Sequence, residues 1–256
     1  MLTKEELDRY NRQIILPEFG EEAQEKIKLS SALIVGLGGL GSVSSEYLVA
    51  SGIGRIGLID NDIVSISNLQ RQILYREDEV GMKKVERAKE TLNRLNSNVE
   101  IQTYPCFLTE ENAIDIIKDY DIIIDATDNF KTRYLINDVC IGLGKPFVYA
   151  SIGDYYGQVA VFNFDNHSSC YRDLFPNYDE LHNRENKNKG VMGVLPSIAA
   201  SLQVNEAIKI ITSTGSSLIN KLLTFDILNN EFSTLDLKPT QKARQDSLGS
   251  FKKLSL

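Results

Sequence analysis

Short runs of apolar residues alternate with segments of helical periodicity through the N-terminal part of the chain. Runs that are almost wholly apolar are typical of parallel strands buried on both faces of a sheet. The predicted strands are residues 32–35, 55–59, 99–104, 122–124 and 147–151. The alternation predicts an α/β fold, a doubly wound and mostly parallel Rossmann-like sheet with right-handed crossovers.

The segments between these strands carry apolar residues at the spacing of a helical face that packs on a sheet. Thr3 and Glu6 form a capping-box pattern, which predicts that the first helix starts at Lys4. The predicted helices are residues 4–12, 21–29, 40–50, 82–95, 113–117 and 134–139. A helix therefore precedes each predicted strand, as the crossovers of a parallel sheet require.

The alternation stops after Gly153. Residues 158–164 predict a strand, but a long polar segment at 165–190 follows it in place of a helix, and this segment contains His167 and His182. A loop of that length inside a domain is usually functional or mobile.

The C-terminal part predicts an amphipathic helix at residues 195–211 and a strand pair at 221–228 and 231–237. These strands are expected to extend the sheet in an antiparallel manner. We predict one domain over residues 1–237, which includes the crossover loop, and a flexible polar tail over residues 238–256.

A glycine-rich turn follows the first strand and opens a helix. The pattern G-x-G-x-x-G is formed by Gly36, Gly38 and Gly41, and Gly39 occupies one of its variable positions. Asp60 follows the last apolar residue of the next strand. In a βαβ unit these glycines permit a tight turn, close approach to a phosphate and close packing of helix on strand. The helix N-terminus attracts anions, and the acid holds a ribose hydroxyl. The sequence therefore predicts a nucleotide site.

The composition excludes several classes of protein. The chain has 256 residues, 42% of them hydrophobic, which suffices for a large core, and its formal net charge of −7 argues against nucleic acid or anionic lipid as a partner. No stretch reaches membrane-spanning length and the start lacks a secretion signal, so we expect a cytoplasmic protein. Cys106, Cys140 and Cys170 are too few and too widely spaced for a disulfide framework.

Further polar residues follow the strands that meet at this edge of the sheet. Arg71 and Lys84 are suited to neutralise phosphate charge, and Asp128 is suited to hold Mg²⁺. Each also has a plain structural explanation: a solvated loop arginine, the polar face of a helix, and the N-cap of the following helix. The residues expected to join them at the nucleotide are Asp62, Asn68 and Gln72.

Several motifs occur in the same order and spacing as in one known family. They are RYNRQI, GLGGLG, IDND with SNLQRQ, VGMKKVE and DATDN, between Arg9 and Asn129. The chain thus resembles the bacterial ThiF/MoeB/HesA adenylyltransferases, relatives of the ubiquitin-activating enzymes. The resemblance extends over about residues 5–237 and implies ATP-dependent adenylation of the C-terminal glycine carboxylate of a small β-grasp sulfur carrier ending in Gly-Gly, of the thiamine or molybdopterin type.

The resemblance also implies roles for individual residues. The glycine turn would line the ATP site, and Asp60 would hold the ribose. Arg71 and Lys84, with Asn68, would contact phosphates, and Asp128 would bind Mg²⁺. Arg12 resembles the family arginine that reaches the triphosphate of the neighbouring subunit, so a homodimer with Arg12 acting in trans is implied.

The departures from the family pattern lead to two negative expectations. Many relatives bind a structural zinc through two CxxC pairs, but here only Cys170 remains, with Asp173 in the second position, so we predict no zinc site. Relatives that form a covalent sulfur bond use a cysteine in the crossover loop, where this chain has Glu185, Asn186 and Lys187. We therefore expect adenylation without a cysteine thioester step.

Three alternatives remain open at this stage. A nicotinamide-dependent oxidoreductase would explain the glycine turn and Asp60 but would leave Arg71, Lys84 and Asp128 without a role. Adenylation of a short peptide at its C-terminus would use the same site with another acceptor. A non-catalytic subunit that only retains the fold would not need every phosphate-handling position.

Overall fold

The computed structural model describes residues 1–181 and 190–255. Within them the strands are β1 (Ser31–Val35), β2 (Arg55–Ile59), β3 (Glu100–Tyr104), β4 (Ile122–Asp125), β5 (Phe147–Gly153), β6 (Tyr156–Phe162), β7 (Lys221–Asp226) and β8 (Glu231–Asp236). The helices are α1 (Lys4–Ile14), α2 (Gly20–Leu29), α3 (Gly39–Ala50), α4 (Lys84–Leu95), α5 (Ala113–Ile117), α6 (Phe130–Leu143), α7 (Tyr171–Leu174), α8 (Tyr178–Leu181), α9 (Leu195–Thr212) and α10 (Gln241–Leu254).

The described strands form one eight-stranded sheet in the order β3-β2-β1-β4-β5-β6-β7-β8. The strands β1 to β5 pair in parallel, and β6, β7 and β8 add to β5 in an antiparallel manner. From β1 the chain moves outward to β3 and then returns to β4 on the other side of β1. The predicted doubly wound sheet with antiparallel strands at its C-terminal end is confirmed, and β1 and β4 flank its switch point.

Successive side chains of β1 enter two different cores. Ala32 and Ile34 pack in the core that contains α3, α4 and α9, whereas Leu33 packs with α5 and α6 on the opposite face. Because side chains alternate along a strand, a run that is apolar throughout suits a sheet covered on both faces. Helices on both faces bring the loops that carry the polar motifs to the carboxyl edge of the sheet.

The predicted helices and strands of the N-terminal part are present, with ends that differ by a few residues. The Thr3 side chain accepts a hydrogen bond from the Glu6 amide and the Glu6 carboxylate accepts one from the Thr3 amide, so the capping box is confirmed. The largest difference is α6, which begins at Phe130, before the predicted start at Tyr134. Two short helices, α7 and α8, lie in the segment predicted as a polar loop.

The prediction of a flexible tail after residue 237 is wrong. Thr240 caps α10, and one face of this helix packs on α6. Ser247 is fully buried and accepts a hydrogen bond from Asn137 at 2.9 Å, while Phe251 lies against Gly142. The fully buried positions of this face are small or polar, with Phe251 beside them, so apolar periodicity along the helix is weak.

Across the two described ranges, none of the helices combines the length and the apolar character needed to span a bilayer.

Candidate active site

A pocket opens at the carboxyl edge of the sheet, beside the switch point. Its volume is about 610 Å³. The ends of β1, β2, β4 and β5 contribute to its walls, together with the segment that follows β3. Ligands of open α/β sheets bind at this position because the strand order reverses there and the loops diverge. Of the residues predicted for the site, those that line the pocket are Gly36, Gly38, Gly39, Asp60, Arg71, Gln72, Lys84 and Asp128.

The glycine turn forms the floor of this pocket. Gly36 has φ +91°, a value that side chains of L-residues rarely permit. A Cβ on Gly41 would lie 1.9 Å from the Gly36 carbonyl oxygen, so α3 approaches β1 closely only because Gly41 has no side chain. The first residues of α3 then line the pocket with the amides of a helix N-terminus, which favours an anionic ligand.

Asp60 ties the glycine turn to the end of β2. One carboxylate oxygen accepts a hydrogen bond from the Leu37 amide at 2.7 Å, and the other accepts one from the Asp62 amide at 2.7 Å. The Tyr75 hydroxyl donates to the Leu37 carbonyl at 3.0 Å from the other side. The turn is therefore held in place before any ligand binds, which reduces the entropic cost of binding.

The cations Lys84 and Arg71 and the side-chain amide of Gln72 line the pocket together with the glycine turn. Lys84 is almost fully buried, and its ammonium group contacts the Asp62 carboxylate at 3.1 Å. Arg71 donates from Nη1 to the Ser67 carbonyl at 3.0 Å. Gln72 is buried, and its Oε1 atom has no hydrogen-bond partner within the described part of the chain. An unpaired buried acceptor at a pocket wall is a group that a ligand donor would satisfy.

The DATDN segment also lines the pocket. One Asp125 oxygen accepts hydrogen bonds from the Thr127 amide at 3.0 Å and the Thr127 hydroxyl at 2.7 Å. Burial raises the pKa of Asp125, although Arg133 nearby acts in the other direction. The Asn129 side chain accepts from the Thr132 amide at 2.9 Å and so caps α6. The alternative that Asp128 is the N-cap is therefore wrong, and Asp128 lines the pocket as an exposed carboxylate.

Four predicted site residues do not line the pocket. Gly41 acts in the packing of α3 on β1, and Asp62 contacts the pocket residues Lys84 and Asp60 without lining the pocket itself. The Asn68 side chain accepts a hydrogen bond from the Ser65 amide at 3.2 Å, which stabilises a single 3₁₀ turn. Arg12 is exposed near the end of α1. Its action on a neighbouring subunit stays a prediction.

Sequence reasoning missed several residues of the pocket. Cys106, Phe107 and Leu108 follow β3, and their position beyond a parallel strand is the signal that could have identified them. Arg133 lies on α6, four residues after its N-cap, and Ser151 lies near the end of β5. Partial burial raises the pKa of the Cys106 thiol, which disfavours the reactive thiolate.

Cys170 and Asp173 join α7 to the start of α10. Cys170 is buried against Ile141 and Ala243, and burial raises the pKa of its thiol to about 12. One Asp173 oxygen accepts from the Cys170 amide at 2.9 Å, and the other accepts from the Thr240 amide and hydroxyl, each at 2.8 Å. The absence of zinc stays a prediction. His167 is exposed, and His182, Glu185, Asn186 and Lys187 lie outside the described residues.

The residues present fit ATP with Mg²⁺. The pocket volume of about 610 Å³ falls in the range of small-molecule sites, about 300–1,000 Å³. Its walls combine helix amides, three cationic side chains and the unpaired Gln72 acceptor, which suits a ligand with phosphates and polar donors. Mg²⁺ binds through one or two carboxylates together with phosphate oxygens and water, and Asp128 supplies such a carboxylate.

Comparison with known proteins supports the same chemistry. Residues 10–246 match the ThiF family. The chain is 45% identical over 241 residues to the sulfur carrier protein adenylyltransferase of Thermus thermophilus. This match covers 92% of the present chain and 89% of that protein. It is 46% identical over 239 residues to the adenylyltransferase and sulfurtransferase MOCS3 of Aedes aegypti, covering 93% of this chain and 54% of the relative. The chain thus spans about half the length of this second relative.

A solved structure agrees with the observed architecture. The crystal structure of PaaA matches with a TM-score of 0.80 at 28% identity, and the match covers 93% of this chain and 76% of that one. The match extends over nearly the whole sheet and its helices, so the layered arrangement around the pocket is shared.

Proposed function

We propose that this chain, which belongs to the ThiF family, is an adenylyltransferase that uses ATP to activate the C-terminal glycine carboxylate of a small ubiquitin-like sulfur carrier. The observation that carries this proposal is the pocket itself, where the glycine turn, Arg71 and Lys84 face Asp128 across the carboxyl edge of the sheet. The relative from Thermus thermophilus, named a sulfur carrier protein adenylyltransferase, supports the choice of acceptor.

The reaction needs no protein nucleophile. A carboxylate oxygen of the acceptor forms a bond to the α-phosphorus of ATP, and the bond from that phosphorus to the bridging oxygen breaks and releases pyrophosphate. The amides at the start of α3, with Arg71 and Lys84, stabilise the charge that builds on the leaving group. Asp60 orients the ribose. Bound Mg²⁺, held by Asp128, would add Lewis-acid stabilisation of the phosphate oxygens.

The acceptor is expected to enter from the β5 side of the pocket. Ser151, Ile152 and Gly153 line this side, and β1 and β4 separate β5 from β2, the strand before Arg71 and Lys84. An acceptor carboxylate that arrives along β5 would face the α-phosphorus, with the leaving pyrophosphate directed towards Arg71 and Lys84. Such an in-line arrangement lets positioning supply much of the rate enhancement.

The composite dimer site belongs to the same proposal. Arg12 does not line the pocket of its own chain and is exposed near the end of α1. Ile15 and Leu16, which follow it, are 60% and 54% exposed. Exposed apolar side chains beside an exposed arginine suit contact with a second copy of the chain, which would bring Arg12 to the triphosphate of that copy. The cytoplasm as the place of action remains a prediction from the sequence.

The adenylate is proposed to form without a covalent bond between carrier and enzyme. Cys140 and Cys170 are buried, and burial raises the pKa of both thiols. The third thiol, Cys106, also has a raised pKa. A thiol that resists ionisation is a poor nucleophile, so the family chemistry that ends at the acyl adenylate fits these residues best.

Exchange of labelled pyrophosphate into ATP tests the function. With small carriers from the same genome that end in Gly-Gly, we expect exchange with one carrier and none when its last glycine is removed. Mass spectrometry should detect a carrier adenylate and no enzyme adduct. The carrier that supports exchange identifies the thiamine or the molybdopterin pathway.

Other outcomes would favour other functions. Exchange with a short peptide but with no folded carrier would favour the peptide-adenylating alternative. Stabilisation of the protein by NADH, together with no effect of MgATP on its Tm, would favour the oxidoreductase. The Thermus thermophilus relative speaks against both, because it is named for activity on a carrier protein.

Replacing Lys84 with methionine should lower kcat/KM for ATP by about 10- to 150-fold, since a charge-assisted hydrogen bond contributes about 1.5–3 kcal/mol. The partner of Lys84, the Asp62 carboxylate, is 57% exposed, so the substitution leaves no buried unpaired charge and Tm should change little. Steady-state exchange kinetics at varied ATP measure the effect.

Lys83 offers a matched control for Lys84. Its ammonium group bonds to the Asn61 carbonyl at 2.9 Å and the Asn61 side chain at 3.1 Å, and it does not line the pocket. Lys83→Met should keep kcat/KM for ATP within about twofold of the wild type. Equal losses for the two variants would mean that general positive charge, and not the buried Lys84 ammonium, matters.

A further inference from the structure

Arg133 is a buried guanidinium that lines the pocket and that the proposed mechanism does not yet use. It is 6% exposed, near the start of α6. Its Nη2 atom donates to the Thr127 carbonyl at 2.6 Å, and its guanidinium lies 5.2 Å from the centre of the Tyr149 ring. Burying a guanidinium costs free energy unless the group is paired and hydrogen-bonded.

The carbonyl that Arg133 holds belongs to the peptide bond between Thr127 and Asp128. On the other side, the Thr127 amide and hydroxyl are both held by Asp125. The next residue, Asn129, uses its side chain to cap α6. The residues on either side of Asp128 are therefore engaged in fixing the backbone, and Arg133 provides the contact that reaches this backbone from α6.

Arg133 has no compensating ion pair in the described part of the chain. No carboxylate lies within 4.0 Å of its nitrogens there. Its Nε atom is buried without a hydrogen-bond partner, and so is one oxygen of Asp125. The Asp125 carboxyl interacts with the guanidinium from beyond ion-pair distance. The guanidinium places positive charge behind the wall of a pocket that, under the proposed function, receives a triphosphate.

From these contacts we infer that Arg133 is a positioning residue for the adenylation site: it fixes the Thr127–Asp128 peptide and thereby aims the Asp128 carboxylate at the Mg²⁺ that accompanies ATP. The inference rests on the proposed function. Arg133 acts through Asp128 and does not itself take part in bond formation. The same fixed charge should assist Mg²⁺-dependent binding of the nucleotide.

The test compares Arg133→Met with Arg133→Lys, because methionine keeps much of the aliphatic stem, whereas lysine retains a charge and a donor. The Mg²⁺ concentration that gives half of the full stabilisation by ATP is measured by thermal shift, without any carrier. We expect Arg133→Met to raise this concentration at least tenfold and Arg133→Lys to restore it in part.

A double-mutant cycle separates positioning from general damage. If Arg133 acts through Asp128, adding Arg133→Met to Asp128→Ala should not change the Mg²⁺ dependence further. Arg172→Met is the control: Arg172 is also mostly buried, bonds to Asp138 on α6 at 2.6 Å and does not line this pocket. Arg172→Met should lower Tm, but the Mg²⁺ concentration that gives half of the full stabilisation by ATP should remain that of the wild type.

Several results would overturn the inference. The first is that Arg133→Met shows the same Mg²⁺ dependence as the wild type. The second is that Arg133→Met and Asp128→Ala have independent effects in the cycle. The third is that Asp128→Ala leaves the Mg²⁺ dependence unchanged. Failure of the proposed function would look different, since the wild type would bind MgATP and show no pyrophosphate exchange with any carrier. The binding measurement would still decide the role of Arg133 in that case.

Discussion

Asp128→Ala is expected to reduce carrier-dependent pyrophosphate exchange by about 100- to 1,000-fold, the usual effect of removing one preorganised electrostatic contribution to a transition state. The fold should survive, because Asp125, Asn129 and Arg133 hold this loop through hydrogen bonds that the substitution leaves in place. The measurement is exchange at saturating carrier, with Tm recorded for the same preparations.

Asp115→Ala serves as the control for Asp128→Ala. The Asp115 side chain is 76% exposed on α5, contacts Lys118 and does not line the pocket. It should keep wild-type exchange. If Asp128→Ala retained exchange at the wild-type Mg²⁺ concentration, Asp128 would have no part in the reaction and the family role assigned to it would be wrong for this chain.

The architecture of the parallel half followed from short-range pattern. The apolar run before Asp125 is buried on both faces, as expected of a central parallel strand. The glycine turn and Asp60 were also readable from spacing, because the tight turn, the helix and the acid are all local to one βαβ unit. Local chemistry of this kind needs no knowledge of distant contacts.

The roles within the DATDN segment were less accessible from sequence. Either Asp128 or Asn129 could cap α6, and only the backbone geometry shows that Asn129 does so. Arg133 looks like any polar position of an amphipathic helix until the fold places it under the pocket wall. Such assignments depend on long-range packing, which a pattern along one segment does not contain.

The C-terminal helix shows the same limit in another form. Its buried positions include Ala243 and Ser247, which hydropathy scores as neutral or polar. Ser247 is buried because Asn137 on α6 donates to it, so the burial depends on a partner residue 110 positions away. The polar composition of residues 238–256 indicates a flexible tail, whereas the complementarity of α10 to α6 makes this segment a packed helix.

Alanine substitutions in the glycine turn should separate folding from nucleotide binding. At Gly41 the added Cβ would lie 1.9 Å from the Gly36 carbonyl oxygen, a backbone atom that cannot move aside without distorting β1. We expect Gly41→Ala to destabilise the protein by about 3 kcal/mol or more and to lower Tm by roughly 6–12 °C. Thermal unfolding without ligand measures this effect.

Gly38→Ala should give the opposite pattern. The nearest atom to an added Cβ is Gln72 Nε2 at 3.8 Å, and the backbone at Gly38, with φ −75° and ψ −150°, is open to an L-residue. Tm should therefore remain close to that of the wild type. The methyl group would occupy the space in which a phosphate approaches the turn, so the Kd for MgATP should rise at least about tenfold.

Gly249→Ala is the control for both substitutions, because Gly249 lies on the exposed face of α10 and an added Cβ would meet no atom within 4 Å. Gly249→Ala should leave Kd unchanged and raise Tm slightly, because alanine favours a helix by about 1 kcal/mol over glycine. If Gly38→Ala bound MgATP as tightly as the wild type, the phosphates would not lie against this turn. The site would then hold its nucleotide through Asp60, Arg71 and Lys84 alone, and the phosphate-binding role of the glycine motif would have to be abandoned for this chain.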